Sequence, residues 1–139
     1  MDIKKLLLGS IAGGITTYLL GWVIYGMLLM DFMDSHTGVA GIISRPEPDQ
    51  LYLVLGNLAM GLMFTYIFIK GHINSLGAGL LNGAIIGFLM AVGSNCITYS
   101  TTTIVSKMGM AADVGGTTAL FAVSGAVIGL VLSMGKKAA

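Results

Sequence analysis

Charge is what this sequence has least of. Only 9% of its 139 residues are Asp, Glu, Lys or Arg, where a water-soluble domain carries about 25%. Seven basic and six acidic side chains are too few to clothe a globule in water, so a soluble fold is not expected. The net charge of +1 gives no basis for a nucleic-acid partner. A single cysteine, Cys96, excludes an intrachain disulfide and any Cys-based metal motif. No Ser-His-Asp set, phosphate-cradling glycine loop or pair of carboxylates is visible, so neither an enzyme nor a cofactor is expected. Proline occurs twice, both times in "RPEP" (45–48), where it fixes an extended lead-in to the next apolar run.

What remains is oily. Hydrophobic residues make up 55% of the chain, and the mean hydropathy is +0.91. The ionic residues are segregated at 2–5, 31–49, 70, 107–113 and 136–137. The stretches between them are long enough to cross a bilayer, which takes about 20 apolar residues for a core of about 30 Å. The expectation is an all-α polytopic membrane protein: one domain over 1–139, a four-transmembrane-helix bundle with spans at about 6–30, 51–69, 76–99 and 114–134. The segment 31–50 is then the one sizeable outer loop. The first apolar run exceeds the length of a signal-peptide core, and no A-x-A site follows it, so it is read as a retained span. The third span turns polar and β-branched at "SNCITYSTTT", and two endings stay open: a stop near Asn95 or an interfacial extension.

Lysine and arginine orient the spans. With the N-terminus in the cytoplasm, Lys4, Lys5, Lys70, Lys136 and Lys137 fall inside, and only Arg45 and Lys107 fall outside. Both termini are then cytoplasmic. Asp31, Asp34, Glu47, Asp49 and Asp113 go to the outer side, leaving no ionisable residue in the membrane interior. Trp22 and Tyr25 lie about 24–28 Å along the first helix, at headgroup level, and read as interfacial anchors. Tyr52 anchors the start of the second span.

Glycine recurs at intervals of four. The third span carries Gly79, Gly83, Gly87 and Ala91; the fourth carries Gly125 and Gly129; the first carries Gly9 and Gly13. A glycine inside a helix costs about 1 kcal/mol relative to alanine in water. Between helices in lipid, however, close backbone approach replaces the missing hydrophobic drive, and small residues permit it. These are read as helix-packing faces. Three such faces on four helices are more than one chain needs, which favours a homo-oligomer or a subunit of a larger membrane complex. "NGAIIGFLM" (82–90) and "SGAVIGLVL" (124–132) match in residue type, a similarity read as convergent glycine-face composition.

Asn57, Asn82, Asn95, Thr16 and Thr17 are the polar residues in or beside the spans. They serve either as interhelical hydrogen-bond partners or as the lining of a path for a solute or ion. Asp31, Asp34 and His36 could in principle hold a divalent metal. A solvated acidic loop accounts for them better, and no metal is expected.

"GWVIYGMLLMDFM" (21–33), with Gly21, Trp22, Tyr25, Gly26 and Met33 in place, resembles the first-helix signature of small four-helix bacterial membrane proteins grouped as a domain of unknown function. Ile24 departs from it, standing where tryptophan is usual. The resemblance implies an architecture and no reaction. The expected protein is a non-enzymatic component of a bacterial inner membrane, structural or accessory, associating through its glycine-rich faces. The alternative is a small oligomeric channel or facilitator; a third is outer-face metal binding.

Overall fold

A computed structural model describes residues 2–36 and 47–134. Arg45, Lys136 and Lys137, used above for orientation, lie outside the described residues, as does 37–46 of the expected outer loop. All described elements are helices: α1 (Ile3–Val23), continued by a π-helical turn (Ile24–Leu28), then α2 (Met30–His36), α3 (Gln50–Lys70), α4 (Leu76–Thr101) and α5 (Lys107–Ser133). Four helical stretches, Ile3–Leu28, α3, α4 and α5, are long and apolar enough to cross a membrane.

Each long helix begins where a short polar side chain can take up orphan backbone N–H groups. Asp2 accepts from the amides of Lys4 and Lys5, and Asp49 from those of Leu51 and Tyr52. Ser75 accepts from Ala78, and Ser106 from Gly109. The Ser106 cap sets the start of α5 ahead of the apolar span expected from about 114, which a longer helix accommodates. The helix begins seven residues earlier, because "KMGMAAD" is small and unbranched enough to continue the turn. Asp113 therefore lies within α5, not in a loop. Within the outer segment expected at 31–50, residues 31–36 belong to α2. Of the two endings open for the third span, α4 takes the longer, running on to Thr101.

The helices lie in the order α3, α1, α5, α4: α3 packs on α1, α1 on α5, and α4 on α5. Glycine decides both outer pairings. A Cβ on Gly79 would strike the Gly125 carbonyl oxygen, one on Gly83 the Phe121 carbonyl oxygen, and one on Gly129 the Ser75 carbonyl oxygen. Backbones therefore touch along the α4–α5 seam. On the other side, a Cβ at Gly9 would lie 2.5 Å from Thr65 Cγ2, and one at Gly13 would lie 2.6 Å from Ile128 Cδ1. Gly61 of α3 meets the backbone of Ser10 and Gly14. The three glycine faces are thus occupied within one chain. This removes the argument that surplus faces call for a second copy.

Phe64, Phe68, Leu120, Phe121, Ile128 and Leu132 form the buried core where α1, α3 and α5 meet. Phe64 stacks on Phe121 with centroids 4.5 Å apart, and Phe68 meets Phe64 edge-on at 6.2 Å. Outside this core the helices present large apolar side chains, among them Leu7, Ile11, Ile15, Leu81, Ile85 and Leu89. Such a surface suits lipid and not water.

Within the core, Ser124 is 1% exposed and its hydroxyl has no hydrogen-bond partner among the described residues. A buried hydroxyl without a partner is destabilising by about 1–3 kcal/mol. Ser124→Ala is expected to raise stability by about 1 kcal/mol, read as a higher thermal midpoint in detergent. A lower midpoint would mean that the hydroxyl is satisfied.

Candidate functional site

The only polar network joining three helices centres on Asp113, on the second turn of α5, among the described residues. Its Oδ1 accepts from the Tyr25 hydroxyl at 2.8 Å, and its Oδ2 accepts from Asn95 Nδ2 at 2.5 Å. The Tyr25 hydroxyl is also 2.7 Å from Thr117 Oγ1, one turn further along α5. Asn95 Nδ2 uses its other hydrogen on the Ala91 carbonyl at 2.9 Å. The carboxylate thus accepts at both oxygens, from neutral donors on either side. No cation pairs with it among the described residues.

Local structure explains how Tyr25 reaches across. It sits in the π-helical turn, where Leu29 N–H bonds the Ile24 carbonyl at 2.8 Å. One extra residue per turn swings the ring from the direction a regular α-helix would give it, and such turns recur at functional positions. Opposite, Gly116 clears the space. A Cβ there would lie 3.1 Å from the Tyr25 hydroxyl and 3.0 Å from Leu29 Cδ1. Tyr25→Phe leaves the ring and removes the link between α1 and α5. The expected loss is about 1–2 kcal/mol, measured by unfolding in mixed micelles, with most of it missing when Asp113 is already replaced. Equal losses in both backgrounds would show that the two side chains do not interact.

Beside the network a cleft of about 460 Å³ opens between α1, α3 and α5. Its walls are Tyr18, Trp22, Leu53 and the Tyr25 ring; Leu120 and Phe121 lie at its core side; Asn57, Thr17 and Thr117 supply polar groups. Asp113 stands one hydrogen bond behind the wall, reached through Tyr25 and Thr117. Trp22 is 63% exposed.

The expected polar residues do not all converge here. Thr17 and Asn57 line the cleft, and Asn95 touches it only through Asp113. Asn82, about 20 Å from Asn95 along α4, and Thr16 lie apart. Each of the five bonds a carbonyl of its own helix: Thr16 that of Ala12, Thr17 those of Gly13 and Gly14, Asn57 that of Leu53, Asn82 that of Ala78, Asn95 that of Ala91. Local bonds of this kind satisfy the side chain without joining helices; Asn95 alone of the five bonds across to another helix.

Tyr25, expected as an anchor, has its hydroxyl engaged by Asp113 and Thr117, while Tyr52 stands exposed at the start of α3. His36 Nδ1 lies 2.8 Å from the Phe32 carbonyl, and its ring stacks on Phe32 at 4.1 Å. Among the described residues no group of three His, Cys, Asp or Glu could hold a metal ion, so Asp31, Asp34 and His36 do not form one.

Asp113, Thr117 and Gly116 were not singled out from the sequence. The signal present there was Asp and Thr four apart on one helical face, with Thr117 eight residues before Gly125, where the fourth-span glycine pattern begins. No protein-family model matches the chain, and neither a curated protein nor a solved structure matches it.

Proposed function

We propose that the chain is a non-enzymatic integral membrane protein of the facilitator type, which takes a small organic cation into the cleft beside Asp113. In this reading it spans a bacterial inner membrane four times with both termini in the cytoplasm. The observation that carries the reading is the position of Asp113. At 1.5 Å per residue, the 27 residues of α5 extend about 40 Å and overhang a 30 Å hydrocarbon core by about 5 Å at each end. Asp113 is about 9 Å from the start of α5, hence a few ångströms inside the apolar layer. An ionisable residue held there without a counter-charge points to a binding role.

The walls narrow the ligand. Trp22, Tyr18 and Tyr25 offer aromatic faces that attract ammonium groups, whereas a metal ion needs several oxygen ligands. Phe121, stacked on Phe64, lies at the core side of the cleft. Trp22 is the only tryptophan and lines the cleft, so its fluorescence reports occupancy. Titration of the purified protein with benzyltrimethylammonium is expected to give a saturable change in that emission. A change no larger than that caused by an equal concentration of choline-free salt, and not saturable, would overturn the reading.

A second reading, self-association or an accessory role in a larger complex, draws on Ala111, Gly115 and Ala119. This row of small residues four apart lies exposed on α5, with nothing within 4 Å of a Cβ on Gly115. It predicts a detergent-corrected mass above one copy that falls when Gly115 becomes leucine.

A further inference from the structure

At the end of the molecule that carries the N-terminus, a second groove separates α1 from the last turns of α5. It has a volume of about 700 Å³, with Leu8, Ile11, Ala12 and Ile15 on one wall and Val131 and Met134 on the other. The small-residue faces are used largely elsewhere: Gly9 of α1 turns towards Thr65 of α3, and Gly125 and Gly129 of α5 turn towards α4, while Gly13 alone of these meets α5, at Ile128. Apart from Ala12, bulky side chains line the gap that remains between the two helices here. Lys4 and Lys5 stand at the mouth of the groove, with Asp2. The Asp2 carboxylate is taken up by the backbone amides of Lys4 and Lys5, at 3.0 and 3.3 Å. Neither lysine ammonium group has an ion pair or hydrogen bond among the described residues.

We propose that this groove binds one anionic glycerophospholipid, its phosphate at Lys4 and Lys5 and one acyl chain along Leu8, Ile11 and Ile15. The apolar wall runs about 10 Å down the helix from just below the lysines, so charge and oil are stacked in the order a lipid presents them. Two ammonium groups at the hydrocarbon boundary fit an anionic headgroup, and long lysine stems reach that boundary readily. A free phosphate would use the lysines and leave the groove empty; a zwitterionic lipid would use the groove and leave the lysines without a net counter-charge. The site is at the opposite end of the molecule from Asp113 and independent of the cation reading. It rests on the bilayer-spanning part of the proposed function, whose failure would be seen earlier, as protein in the soluble fraction before any detergent is added.

The test is native mass spectrometry of the detergent-extracted protein after exchange with phosphatidylglycerol or phosphatidylcholine of matched chains. The expected result is one retained phosphatidylglycerol, preferred over phosphatidylcholine. Replacing both lysines (K4Q with K5Q) should lower that preference about thirtyfold. Ile11→Trp, which keeps the charges and fills the groove, should lower retention of the same lipid, whereas Leu81→Trp on the exposed face of α4 should not. Unchanged circular dichroism shows that the variants are folded. Equal retention of the two lipids by the wild type, an unaltered preference in the double lysine variant, or full retention by Ile11→Trp would each overturn the proposal. Competition by glycerol phosphate as strong as by the intact lipid would identify an anion site alone and overturn it too.

Discussion

Gly83→Leu is expected to separate α4 from α5 and to destabilise the protein by at least about 3 kcal/mol, a shift of more than a hundredfold in the folding equilibrium. The reason is what the new side chain would meet. A Cβ on Gly83 runs into the Phe121 carbonyl oxygen and lies 3.1 Å from Gly125 Cα. These are backbone atoms on a facing helix, so no rotamer change relieves the clash. The helices must move apart, and every close contact from Gly79 to Gly87 loosens with them. Because α4 packs on α5 and on no other long helix to a comparable extent, no second interface holds it. Gly93→Leu is the control, since nothing lies within 4 Å of that position, and it should change stability by no more than about 0.5 kcal/mol. Unfolding of both variants in mixed micelles, followed by circular dichroism, makes the comparison. Equal midpoints would show that the α4–α5 seam is not as described.

Asp113→Asn is expected to lower affinity for benzyltrimethylammonium about thirtyfold with little loss of fold. A carboxylate on the order of 8 Å from a bound cation, at an effective dielectric near 20, contributes about 2 kcal/mol. Behind the Tyr25 wall that distance is about what one intervening hydroxyl imposes. The introduced amide can still accept from Asn95 and can donate to the Tyr25 oxygen, so the three-helix link survives at a cost of about 1 kcal/mol. Asp113→Leu removes both bonds and should lower stability and binding together. The Trp22 titration separates charge from shape: a neutral isostere of the probe should bind wild type and Asp113→Asn alike. If Asp113→Asn bound the cation as tightly as wild type, the carboxylate would have no part in recognition.

Several features were legible because local physics dictates them. Apolar runs bounded by charges mark helices long enough for a bilayer whatever their neighbours, and the interval of four at Gly79, Gly83 and Gly87 places those residues on one helical face. The helix α5 begins ahead of its apolar run for a physical reason. Lys107 and Asp113 suggest a loop by their charge, yet a helix of 27 residues overhangs the apolar layer at Lys107, and Asp113 further along is held by Tyr25 and Asn95. Ser106, followed three residues later by an amide it can cap, was the contrary sign. The polar residues misled in the other direction. Thr16, Asn57 and Asn82 satisfy themselves on their own helices, so spacing alone could not tell them from Asn95.

By itself, then, the sequence determined the number of long helices and which residues share each face, since hydropathy and helical period are properties of short segments. Tertiary structure alone decided which face meets which: that α4 spends its glycines on α5, that Gly9 and Gly13 meet α3 and α5, and that Tyr25, Asn95 and Asp113, up to 88 residues apart, share one network. Partners so distant are chosen by the fit of whole surfaces, and no segment read alone carries that information.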